Sequence, residues 1–454
     1  MGFGRLLTAV VLFLMVACSN QSKTDLLETG VEQLRGGNLR DAVVCLKNAL
    51  ELDPNYYEAR YALGDAYLQL RQYQQAENEF EKVYRQNPAY PADLLLKLAQ
   101  IYEQTARFNQ ALEILETFHQ SHRPSAVSLD LTAVVYRSMQ QFHLADLLFK
   151  RAAQLDPENP LPVYHLAQSL LSQSHDQDAR ILLEKMLEDF SAFKPAYNLL
   201  AELNLSQNRI NDALEVYQRL FQVDPDNRQA LYMRGLLLLA LDRSVEVQDV
   251  IGLFIKRFPL DYRGTQLSGI NAYKSGDDKE ALVYLRQSQK DQPQPLTYYY
   301  LGLSHFRQKE FELAINQYQR VLDERPASSQ TRLMLAMTFL HQMRLEDCLQ
   351  QIRLVLKYEP ENSLAYNIMG HAYLLQKEDD KAVDAFGEAV ANAPELIDIY
   401  IKKSQKYALR GESDMAENEL VTALVKSSQV LDICSRQSPC LSGLLSVLEA
   451  GNNY

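Results

Sequence analysis

The feature that most constrains this chain is a small residue that returns every 33 to 35 positions: Ala42, Ala76, Ala111, Ala145, Ala179, Ala213, Val247, Ala281, Ala314, Cys348, Ala382 and Ala416. Twelve residues before each member stands a second small or short side chain: Gly30, Gly64, Ala99, Ala133, Ala167, Ala201, Gly235, Gly269, Gly302, Ala336, Gly370 and Ser404. A period of this length belongs to stacked helix-turn-helix units. At 454 residues, length alone would suggest roughly three domains, but an unbroken period overrules that expectation.

The two columns have a steric purpose. Antiparallel helices approach closely where neither presents bulk, and larger neighbours then interlock around the crossing. One turn beyond the first column stand Tyr67, Tyr136, Leu170, Leu238, Phe339, Tyr373 and Tyr407; four residues beyond the second stand Leu46, Phe80, Leu115, Phe149, Leu183, Tyr217, Leu285, Tyr318 and Phe386. Both sets are expected in the core. Pro54, Pro88, Pro157, Pro225, Pro259, Pro293, Pro326, Pro360 and Pro394 mark the ends of the second helices, because proline lacks the N–H and clashes with the preceding turn.

The pattern of small, small, apolar, alanine, aromatic and proline resembles the tetratricopeptide repeat family over about residues 23–430. The family tryptophan is missing, and repeats 3, 5 and 12 lack the terminal proline. The resemblance implies an all-α fold: an α-solenoid of about twelve hairpins, wound as a right-handed superhelix. Residues 431–454 leave the period, and "LSGLLSVLEA" reads as a short amphipathic helix capping the last repeat. Cys434 and Cys440 flank "SRQSP", a loop that a disulfide could close in an oxidising compartment. Cys45 and Cys348 fall in second helices and read as core fillers.

The first seventeen residues are a separate object. Arg5, the apolar run from Leu6 to Ala17 and the small Ala17 before Cys18 describe an export signal, and the absence of an A-x-A site stands against the alternative of an ordinary secretory signal. Met15-Val16-Ala17-Cys18 resembles the bacterial lipobox, which implies cleavage after residue 17, acylation of Cys18 and a short tether over residues 18–22. Ser19 resembles the residue that lets such lipoproteins proceed to the outer membrane. The expected location is therefore the bacterial envelope, lipid-anchored and facing the periplasm.

Composition and motifs narrow the function. A net charge of -12 and the lack of a basic cluster exclude a nucleic-acid footprint. The chain carries none of the phosphate-loop, dinucleotide, zinc-protease or nucleophile-elbow motifs, so no enzyme, cofactor or metal is expected. His119 and His122 form the closest histidine pair, without further ligands at metal spacing.

The family resemblance points instead to binding by the first helices. It maps a partner-binding groove onto Tyr164, Tyr232, Met233, Leu236, Leu239, Tyr273, Tyr299, Tyr300, Phe306 and Leu340. Tyrosine suits such a surface because a large ring carries a hydroxyl able to pair. The same rings could equally fill gaps between neighbouring first helices. The function read from these features is a membrane-anchored periplasmic scaffold that binds envelope proteins. Resemblance places it in exopolysaccharide export, most like lipoproteins associated with PEP-CTERM sorting. The competing readings are a polysaccharide-binding, export-guiding solenoid and a factor assembling a pilus secretin or a peptidoglycan complex.

Overall fold

The computed structural model describes residues 22–86, 91 and 93–392. The export signal, Cys18, the twelfth repeat and the tail with Cys434 and Cys440 lie outside the described residues. Between them run twenty-two α-helices in eleven consecutive hairpins, with no β-strand among the described residues.

The chain divides into two compact units, Met1–Leu182 and Leu183–Tyr454. In the first unit the hairpins are α1 (Lys23–Arg35) with α2 (Leu39–Leu52), α3 (Tyr57–Gln69) with α4 (Tyr73–Gln86), α5 (Asp93–Gln104) with α6 (Phe108–Ser121), and α7 (Ala126–Ser138) with α8 (Phe142–Leu155). The fifth pair is α9 (Leu161–Ser172) and α10 (Asp176–Asp189), and the boundary between units falls inside α10. The second unit continues with α11 (Lys194–Ser206) and α12 (Ile210–Val223), α13 (Arg228–Ala240) and α14 (Ser244–Arg257), α15 (Tyr262–Lys274) and α16 (Asp278–Asp291). It then holds α17 (Pro295–Arg307) and α18 (Phe311–Glu324), α19 (Ser329–His341) and α20 (Leu345–Tyr358), and α21 (Ser363–Gln376) with α22 (Asp379–Asn392).

The small columns mark close crossings. A Cβ added to Gly64 would stand 2.5 Å from the Phe80 ring, and one on Gly269 would stand 2.5 Å from Leu285. At Gly30, Gly64, Gly269 and Gly302 the bulky residue four past the second column thus fills the notch left by the first. Leu46, Phe80, Phe149, Leu183, Tyr217, Leu285 and Tyr318 are wholly buried there. The other expected core set lies nearer the rim: Tyr67, Leu238 and Phe339 are buried, whereas Tyr136, Leu170 and Tyr373 are only half-buried. Repeat 7 departs from the scheme. With Val247 in the alanine column, Gly235 faces Leu267 of the next first helix, 2.6 Å from its would-be Cβ.

Punctuation follows proline closely. α2, α8, α12, α14, α16, α18 and α20 each end two residues before a proline, with the intervening residue in extended or near-extended backbone, as for Asp53 at φ -144 and Phe258 at φ -130. The steric bar that proline places on helical geometry in the residue before it explains this offset. Inside each hairpin the turn uses one left-handed residue seven positions after the first small column. Gly37 and Gly276 fill it twice, and Arg71, Ala106, Gln140, Ser174, Asn208, Asp242, Lys309, Met343 and Lys377 fill it elsewhere. The following N–H then bonds five residues back, as in Gln72 to the Tyr67 carbonyl at 2.9 Å, which caps the first helix in the Schellman manner.

Candidate functional site

The tyrosine-rich stripe of repeats 7 to 10 is interior. Of the ten residues assigned to a groove, Tyr232, Met233, Leu236, Leu239, Tyr273, Tyr299, Tyr300, Phe306 and Leu340 are all buried, and Tyr164 alone is half-buried. Their contacts give a physical reason. The Tyr232 hydroxyl donates to the Gln266 side chain, whose amide donates 2.6 Å to Thr297. The Gln330 amide likewise donates to the Tyr299 hydroxyl. Tyr273 meets Tyr300 edge to face with centroids 5.5 Å apart, and Phe306 meets His341 at 5.0 Å. Each contact ties one first helix to the next, so these rings join repeats. Burial pushes the Tyr273 phenol up to about 12 and holds Tyr299 well above the ordinary range.

The first unit builds a different face from equivalent positions. On α3 and α5, Lys97 lies 2.6 Å from Asp65 and 3.1 Å from Asp93, and it donates to the Tyr61 hydroxyl at 2.6 Å. Tyr61 in turn donates to Asp93 at 2.5 Å, and Lys97 sits 4.2 Å from the centre of its ring. Burial raises the Asp65 carboxyl despite Lys97 beside it. Burial also pushes Asp93 upward, but the Tyr61 hydrogen bond and the Lys97 charge outweigh it and leave Asp93 below the ordinary range. On α7 and α9, His165 stands 2.9 Å from Asp130, and Arg137 donates 2.8 Å to Gln168. Ser138 donates 2.9 Å to Glu103 of α5.

Tyr61, Asp65, Lys97, Asp130, Arg137, Tyr164, His165 and Gln168 are all half-buried. They combine partial exposure with hydrogen-bonding groups that could be exchanged for those of a peptide. Sequence reasoning placed Tyr164 on a first helix but passed over the charged members. Their signal was register: Tyr61, Asp130 and Tyr164 each precede the first small column by three residues, and Lys97 and His165 precede it by two.

Elsewhere the side chains are spoken for by structure. His119 lies 3.1 Å from the Ser128 hydroxyl, and His122 stacks on Phe118 at 4.7 Å. No group of three or more metal-ligating side chains occurs among the described residues. Cys348 is a buried core filler whose thiol burial pushes up to about 12, and Cys45 is half-buried. No described helix is long and apolar enough to cross a membrane.

Known proteins share this architecture. Tetratricopeptide repeat profiles match residues 27–93 and 198–246, 68–126, and 295–328. A relative, the cellulose synthase operon protein C of Pseudomonas fluorescens (strain SBW25), is 26% identical over 174 residues, which cover 36% of this chain and 13% of the relative. The chain thus spans only a small part of that protein's length. Among solved structures, yeast Tom70 is 16% identical, covering 90% of this chain and 98% of its own with a TM-score of 0.42. A tetratricopeptide repeat protein from Parabacteroides merdae ATCC 43184 is 17% identical, covering 54% and 98% with a TM-score of 0.46. Profiles, helix order and the paired small columns agree that the chain carries tetratricopeptide repeats.

Proposed function

We propose that this protein is a non-catalytic scaffold of the bacterial envelope, anchored through an acylated Cys18, that holds a protein partner during assembly of an exopolysaccharide export system. The observation that carries the reading is the half-buried polar face of repeats 2 to 5, where Tyr61, Lys97, Asp130, Arg137 and Tyr164 project from successive first helices. A tetratricopeptide array is a protein-binding scaffold, and this face offers rings, charges and amides at one-repeat spacing, suited to an extended segment. The likeness to a cellulose synthase operon protein supports the exopolysaccharide context, and the lipobox-like Met15-Val16-Ala17-Cys18 supports the anchor and an outer-membrane, periplasm-facing location.

A photo-crosslinking residue placed at Gln100 or Gln168 in living cells tests it. The expected result is a discrete adduct with one envelope protein, lost when Lys97→Glu and Arg137→Glu are combined, with no adduct from the buried Tyr299 position. Absence of any protein adduct from both Gln100 and Gln168 would defeat the reading. Adducts with polysaccharide in their place would favour the glycan-guiding alternative, which the pairing of the Tyr61 hydroxyl with the exposed Asp93 carboxylate also suits. Metabolic labelling with palmitate tests the anchor: label should be incorporated and should vanish in Cys18→Ala.

A further inference from the structure

Repeat 7 lacks a charge pairing that repeats 1 and 6 keep. In repeats 1 and 6 the first helix begins with a lysine, and an aspartate directly follows the second helix of the same hairpin. Lys23 and Asp53 lie 2.6 Å apart, as do Lys194 and Asp224. The corresponding residues of repeat 7 are Arg228 and Phe258. Where the aspartate would be, the guanidinium finds a ring, 5.0 Å from its centroid.

The carboxylate that Arg228 does reach is shared and distant. Asp261 Oδ2 lies 3.7 Å from Arg228 Nη1 and equally 3.7 Å from Arg263 Nη1, while Oδ1 accepts the Arg263 backbone N–H at 3.1 Å. Both ion-pair distances exceed hydrogen-bond length, so the two planar forks have donor capacity to spare. Arg257 adds a third positive charge, 3.5 Å from the exposed Asp226. Arg228, Arg257, Phe258, Asp261 and Arg263 line one cleft of about 500 Å³, with Asp291 on its wall and Leu260 at its lip. The Leu260 residue is 95% exposed.

We propose that this cleft between repeats 7 and 8 receives an acidic side chain of a protein partner, flanked there by an apolar one. Asp226 offsets Arg257 and Asp291 stands on the wall, but Arg228 and Arg263 share the single Asp261 carboxylate at more than hydrogen-bond length, so their unfilled donors are what an incoming carboxylate meets, and arginine forks match it in two-pronged geometry. Phe258 and Leu260 supply the apolar contact, which a sugar ring bearing hydroxyls would satisfy poorly and an aliphatic or aromatic side chain well. The site lies on inter-repeat loops of the second unit, not on the first-helix face of repeats 2 to 5, and it does not depend on the function proposed for that face.

The test is a fluorescence-anisotropy titration of the full chain with a labelled peptide of alternating leucine and glutamate, its glutamine counterpart, and trigalacturonate as competitor. The glutamate peptide should bind at least about tenfold more tightly than the glutamine peptide, and Arg228→Gln or Arg263→Gln should each weaken it at least about fivefold. Phe258→Asp, which restores the pairing of repeats 1 and 6, should weaken binding as much while circular dichroism shows retained helix. Leu260→Ser should weaken it severalfold. Equal binding of the two peptides, or binding undisturbed by Arg228→Gln and Phe258→Asp, would overturn the proposal. Competition by trigalacturonate as strong as by the peptide, and indifferent to Leu260→Ser, would assign the cleft to an acidic glycan and overturn it too.

Discussion

Tyr299 and Tyr318 pack ring against ring, centroids 6.2 Å apart, both wholly enclosed, yet Tyr299 has a hydrogen-bond partner in Gln330 while the Tyr318 hydroxyl has none among the described residues. The same deletion of one oxygen should therefore act differently at the two positions. Tyr299→Phe strands a buried amide donor and should cost about 1–3 kcal/mol, whereas Tyr318→Phe removes an unpaired hydroxyl and should be neutral or stabilise by up to about 1 kcal/mol. Urea unfolding of both variants checks the contrast, and equal losses would refute it.

The notches opposite the bulky residues make a second prediction. Gly64→Ala drives a methyl to 2.5 Å from the Phe80 ring and should destabilise by about 1–3 kcal/mol through overpacking. Gly252, on α14, has nothing within 4 Å of its would-be Cβ, so Gly252→Ala should stabilise by about 0.5–1 kcal/mol through helix propensity. Thermal unfolding of the pair reads the difference, and a loss at Gly252 would count against the close-crossing account.

The hairpin turns give a third. Ala106 holds φ 58, a conformation that disfavours a Cβ. Ala106→Gly should stabilise by about 1 kcal/mol, and Ala106→Val should destabilise by a similar or larger amount. Chemical denaturation that ranks glycine below alanine at this site would contradict the assigned turn geometry.

Acid should weaken the fold through His371. Burial lowers its imidazole from 6.5 to about 4, so the unfolded chain takes up a proton that the folded chain refuses between those values. Stability then falls as pH drops from 6.5 towards 4 and changes little from this source above 6.5. His371→Asn should flatten that part of the pH profile, measured by urea midpoints at closely spaced pH. An unchanged slope would remove His371 as the cause.

The repeat, the hairpins and the helix ends were legible in the sequence because sterics at Gly64, Ala76 and Pro54 act locally and recur. The turn conformation was not, since nine of its eleven left-handed positions carry side chains such as Arg71 and Met343 rather than glycine. The burial of the expected groove residues was not legible either, for a related reason. Register put Tyr232 and Tyr299 on the expected face, but whether a ring there meets solvent or the next helix depends on side chains a full repeat away, Gln266 and Gln330. Lys97 and Asp130 went unnoticed because each looks like an ordinary solvated charge until its partner, Asp65 or His165 in the neighbouring repeat, is known.

The central claim is that the tyrosines of the two units serve different ends, those of repeats 7 to 10 joining helices and those of repeats 2 to 5 facing a partner. Hydroxyl-radical footprinting of the folded full chain, read residue by residue by mass spectrometry, tests it most directly. Tyr61 and Tyr164 should oxidise several times faster than Tyr232 and Tyr299, which should react only on unfolding. Oxidation of Tyr232 and Tyr299 at the rate of Tyr164 in folded protein would contradict the account.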